Sequence, residues 1–97
     1  MIVRLVKLTI QPYKIHDFKK LFVSVEDSIR SFHGCQSLQL LNDVNNPDVF
    51  FTYSVWSSEN ELNDYRFSPF FKNTWGKTRQ YFSLPAEAWS LDGASKD

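Results

Sequence analysis

A single cysteine, Cys35, is all the thiol chemistry this sequence holds. With no second cysteine there is no internal disulfide, and with no ligand neighbours at metal spacing there is no zinc motif. Both point to a reducing setting such as the cytosol and to no metal site. Glycine is also scarce, since Gly34, Gly76 and Gly93 are the only three, too few and too scattered for a phosphate-cradling loop. Charge of one sign is missing as well. Eleven basic side chains balance eleven acidic ones and none of them cluster, so no positive face exists to displace counterions from a phosphate backbone, which argues against a nucleic-acid partner. Long apolar runs are absent too. Even the N-terminal stretch Ile2–Ile10 is interrupted by Arg4 and Lys7, so it reads neither as a signal peptide nor as a membrane span.

What the chain has in excess is aromatic surface. Nine Phe, four Tyr and three Trp make up 16% of the residues, concentrated after residue 50. At 97 residues the expectation is one core and one domain, here residues 1–92 with a polar tail over 93–97 that frays.

The pattern along the chain gives the element order. Ile2–Ile10 reads as a strand with Ile2, Val6, Leu8 and Ile10 on one parity and Val3, Leu5 and Thr9 on the other, stopped by Gln11-Pro12. Ile15, Phe18, Leu21, Phe22, Val25, Ile29 and Phe32 recur at spacings of three and four, predicting a helix of about five turns that ends at Gly34. Cys35–Leu41 and Val49–Trp56 are strands joined through the turn-rich Asn42–Asp48. Ser58-Glu59-Asn60-Glu61 is a capping box opening a second helix. Ser68-Pro69 breaks that helix and starts another, whose apolar stripe is Phe71, Trp75, Thr78 and Phe82. Ala86–Leu91 is the last strand.

Strand, helix, strand, strand, helix, strand specifies an α+β, ferredoxin-like βαββαβ domain with both helical layers on one face of a four-stranded antiparallel sheet. The opposite face carries Val, Leu, Phe and Tyr and is too apolar to stand in water, so a homodimer through the sheet faces is expected.

Certain residues also carry a resemblance. Val55-Trp56-Ser57-Ser58-Glu59 with Leu62, Tyr65-Arg66-Phe67-Ser68-Pro69-Phe70-Phe71 with Trp75, Pro85-Ala86-Glu87-Ala88-Trp89-Ser90, and Phe32-His33-Gly34-Cys35 together resemble the antibiotic biosynthesis monooxygenase family over about residues 2–91. The resemblance implies a dimeric α/β barrel with a pocket between sheet and helices in each subunit. It implies a cofactor-independent monooxygenase acting on a small aromatic or quinone-like molecule. The alternative is a non-catalytic small-molecule-binding or stress-associated dimer. Positions that the haem-degrading branch of the family uses hold Val6, Tyr65 and Trp75 here, so haem cleavage is disfavoured.

Oxygenation without a cofactor needs hydrogen-bond donors that stabilise a substrate anion in an apolar, dry cavity. Trp and Tyr donate while remaining apolar elsewhere. Tyr65 and Trp75 are therefore the candidate catalytic donors, with Trp56, Tyr53, Phe67, Phe71 and Phe22 as candidate substrate contacts. For each, plain core packing is the competing role, and for Tyr53 so is contact with a partner subunit. His33 beside Gly34 reads as a surface histidine at a helix C-terminus, and Cys35 as a buried, inert thiol.

Overall fold

The computed structural model describes residues 1–93; the expected tail, beyond Gly93, lies outside the described residues. Its elements are β1 (Ile2–Thr9), a 3-10 turn (Pro12–Lys14), α1 (Ile15–Arg30), β2 (Cys35–Asp43), β3 (Asn46–Trp56), α2 (Glu59–Arg66), α3 (Pro69–Arg79) and β4 (Glu87–Leu91). The strands form one antiparallel sheet in the order β2-β3-β1-β4, so the two halves of the chain interleave in the ferredoxin-like manner.

One loop is shorter than its composition suggests. The Asn42–Asp48 stretch yields only Val44 and Asn45 to the turn, and Asp43 pairs directly with Asn46. The turn-forming side chains serve the strand ends instead: Asn45 N–H donates to Asp43 Oδ1 at 2.8 Å and Asp48 N–H to Asn46 Oδ1 at 3.2 Å.

Two serines set the helical layer. Ser58 Oγ accepts from Glu61 N–H at 3.2 Å and donates to Glu61 Oε1 at 3.1 Å. The glutamate does not fold back as in the expected capping box; its other oxygen meets His33 Nε2 at 2.7 Å, tying the start of α2 to the turn after α1. Ser68 Oγ accepts from Phe71 N–H at 3.1 Å and donates to the Tyr65 carbonyl at 2.7 Å, so one hydroxyl ends α2 and opens α3 behind Pro69.

The turn between α1 and β2 requires glycine twice over. Gly34 has φ +90°, and a Cβ there would stand 2.5 Å from Glu61 Cβ, an atom fixed to the α2 backbone. Gly34→Ala is expected to lower stability by about 1–3 kcal/mol in a urea titration; an unchanged midpoint would contradict this account of the turn.

Strand parity then divides the sheet. The face bearing Val6, Leu8, Leu38, Phe50 and Trp56 meets the helices. Leu8, Ile10, Phe18 and Phe50 make its solid core, with the Phe18 and Phe50 rings 5.1 Å apart. The other face has no helix against it. There Val3 pairs with Val55 and Leu91, and Leu5 with Tyr53 and Trp89. Trp89 is 41% and Leu91 46% exposed, an apolar surface crossed by the Lys7–Glu87 ion pair at 3.8 Å.

Candidate functional site

The sheet's helix-facing side changes character along its length. At the Leu8–Phe50 row the side chains are large and packing is solid. Toward the start of β1 the same face carries Thr52, Ser54 and Ala88, too small to reach α1 and α3. A cavity of about 300 Å³ remains between the layers, within the range of small-molecule pockets.

Its aromatic wall is a continuous ladder. Tyr65 stacks on Trp56 at 5.0 Å and meets Phe71 edge-on at 5.0 Å; Phe71 stacks on Trp75 at 5.7 Å, which meets Phe82 at 5.5 Å. Phe22 of α1 lines the opposite side. Of the seven candidates from the sequence, Tyr65, Trp75, Trp56, Phe71 and Phe22 are thus brought together on one cavity.

Tyr53 and Phe67 are not. Tyr53 has the opposite parity on β3 from Ser54 and Thr52, so it lies on the uncovered sheet face beside Leu5. Phe67 caps the C-terminus of α2 and is 67% exposed, its ring lying under the Arg66 guanidinium at 5.9 Å. Both are corrected as cavity contacts: alternation decides the first and the helix break the second.

The remaining candidates differ in what they offer. Trp56 is 1% exposed and its indole N–H is already given to Ser54 Oγ at 3.0 Å, so it is wall and anchor, with no donor to spare. The Tyr65 hydroxyl and the Trp75 indole N–H have no hydrogen-bond partner among the described residues, and no polar side-chain atom there is both fully buried and unpaired. Burial, with Cys35 nearby as a smaller cause, pushes the Tyr65 phenol above its ordinary range. It therefore stays protonated at neutral pH, available as a donor and not as a base.

Several cavity residues were overlooked in the sequence. Thr52 and Ser54 were legible only as the even parity of a strand, and their smallness is what creates the space. Arg4 interrupts the apolar run of β1, yet it shares parity with Val6 and Leu8 and so lies on the helix-facing side; a charge on the core parity is the available signal. Arg66 closes α2 beside it. Both arginines line the cavity, which has no Asp, Glu or His on its lining. His33 lies outside it, its side chain 88% exposed against Glu61. Cys35 is only partly buried, and burial raises its thiol above the usual value, which keeps it unreactive.

Comparisons with known proteins agree with this architecture. Among solved structures, a conserved protein from Methanosarcina mazei Go1 is 21% identical with a TM-score of 0.87, over 94% of this chain and 91% of its own. Rv0793 from Mycobacterium tuberculosis is 16% identical with a TM-score of 0.87, over 98% and 96%. A variant of SnoaB, a cofactor-independent oxygenase from Streptomyces nogalater, is 13% identical with a TM-score of 0.85, over 98% and 94%. At such identities the similarity is one of fold. No curated protein matches in sequence. The sequence profile of the antibiotic biosynthesis monooxygenase family matches residues 1–76, which hold the first helix, the central strands and most of the aromatic ladder, and by that match the chain belongs to this family.

Proposed function

We propose that the protein is a cofactor-independent monooxygenase acting on a small aromatic or quinone-like molecule. The observation that carries this reading is the largely apolar cavity lined by Tyr65 and Trp75, whose hydroxyl and indole N–H have no hydrogen-bond partner among the described residues. The substrate itself supplies the electrons. Its phenolate or carbanion reduces dioxygen, a C–O bond forms at the activated carbon, and the resulting hydroperoxide loses water to leave a carbonyl. One oxygen atom stays in the product and the other leaves as water. The protein's part is to hold the anion dry and hydrogen-bonded while this happens, with the Tyr65 hydroxyl and Trp75 N–H facing the developing negative charge. The test is oxygen consumption by chelator-treated protein with a panel of anthrones and hydroquinones. Turnover above the uncatalysed rate is expected; binding without turnover would instead leave a small-molecule-binding protein, a role that a cavity without Asp, Glu or His on its lining also suits. Absence of both would remove either function.

The working unit in this reading is a homodimer joined through the uncovered sheet faces, in a cytoplasmic setting. Among the described residues no helix is long and apolar enough to cross a membrane. Val3, Leu5, Phe51, Tyr53 and Trp89 share this uncovered face, an apolar surface that pairing with a second copy would remove from water. Sedimentation should give a dimer at micromolar concentration, and Leu5→Asp, which sets a charge in the middle of that face, should shift it to monomer. A wild-type monomer under those conditions would refute the pairing.

A further inference from the structure

Arg4 is out of place for a strand residue on the core side of a sheet. Its row is Ser54 on one neighbour and Ser90 on the other, and of its five N–H donors one is used, from Nη1 to Ser90 Oγ at 2.9 Å. Arg66 comes to the same cavity from the end of α2. Its contacts are Asn63 Oδ1 at 3.5 Å and the Phe67 ring. The ion pairs among the described residues are Lys7–Glu87 and Arg30 with Glu26 and Asp27, beside the close His33–Glu61 contact; neither cavity arginine takes part. Two arginines therefore line one cavity with no carboxylate on its walls. They feel each other: burial, and then the charge of Arg66, holds the Arg4 guanidinium below its ordinary proton affinity.

Like charges brought together out of water are unfavourable unless an anion joins them. The planar fork of arginine matches a carboxylate with two parallel hydrogen bonds, which a point charge does not. The rest of the cavity is aromatic and aliphatic, so the body of the ligand is apolar. The geometry points to Arg4 and Arg66 as an anion-recognition pair, and to an aromatic carboxylic acid as the molecule the cavity takes, its rings against Phe71 and Trp75 and its carboxylate between the guanidiniums. This inference rests on the cavity being a small-molecule site, and it names the substrate class for that site.

Calorimetric titration with 2-naphthoate and with its neutral isostere 2-naphthamide tests it, because the two share rings and shape and differ in charge. At low salt the carboxylate is expected to bind roughly tenfold or more tighter than the amide. Arg4→Gln and Arg66→Gln should each bring naphthoate close to the amide's affinity and leave the amide unchanged. Equal affinity of both probes for the wild-type protein would overturn the anion pair and leave the aromatic cavity standing. Variants that weaken both probes alike would also overturn it, since that pattern marks loss of structure. If neither probe binds, the anion pair falls, whereas the small-molecule reading is decided by the anthrone and hydroquinone panel.

Discussion

Trp56→Ala should remove about 3–5 kcal/mol of folding free energy, a large part of the roughly 5–15 kcal/mol that a domain of this kind possesses. Burial and two contacts converge on this side chain. It is 1% exposed at the end of β3, its ring carries Tyr65 at 5.0 Å, and its N–H holds Ser54 Oγ at 3.0 Å, a hydroxyl that in turn reaches the Arg4 carbonyl at 3.5 Å. Alanine leaves a cavity at the junction of sheet and α2, and the stack that positions Tyr65 goes with it. Trp56→Phe separates the contributions: it keeps a ring against Tyr65 and loses chiefly the indole hydrogen bond, so about 1–2 kcal/mol is expected. Urea unfolding of the two variants, followed by circular dichroism, is the measurement. If alanine is no worse than phenylalanine, the stack contributes little and the aromatic ladder is not what anchors α2.

The fold was legible because its signals are local. Gly34, Ser58 and Ser68-Pro69 each mark an element boundary by backbone chemistry that needs no knowledge of distant residues, and the structure uses all three. The β2–β3 turn was harder, because Asn and Asp serve a strand end as readily as a loop, and only the Asp43–Asn46 pairing decides between them. The site was legible in part. An aromatic stripe on α3 and a tryptophan ending β3 are visible as periodicity, so Phe71, Trp75 and Trp56 could be grouped. A cavity, by contrast, is made by what is small. Thr52, Ser54 and Ala88 leave no mark in a hydrophobic pattern, and their effect depends on which row of β1 they adjoin. Arg4 was hidden for a related reason: its parity places it among core residues, but what a charge does there depends on Arg66, 62 positions away in sequence and beside it only after folding. Tyr53 was misplaced because β3 is apolar on both faces and pattern alone does not say which face the helices cover.

Loss of a single polar atom at Tyr65 or at Trp75 should reduce turnover far more than it reduces stability. Tyr65→Phe deletes one hydroxyl and retains the ring that packs between Trp56 and Phe71; Trp75→Phe deletes the indole N–H and keeps an aromatic ring in the stack with Phe71. Neither deleted group has a hydrogen-bond partner among the described residues, so neither loss strands a buried acceptor, and stability should shift by less than about 1.5 kcal/mol. If these donors face the anion formed during oxygenation, each replacement lowers kcat by about 100-fold, the scale set by removal of one preorganised donor from an oxyanion site. The effect should fall on kcat more than on KM, because the donors meet charge that develops only as the substrate ionises. The pH profile gives an independent sign. Burial raises the Tyr65 phenol above its ordinary value, so its donor stays in place through neutral and mildly alkaline pH. Any rise of rate with pH in that range must then come from ionisation of the substrate, and it should persist, scaled down, in Tyr65→Phe. A rise that vanished in Tyr65→Phe would show the phenol titrating as a base and would reverse the role assigned to it.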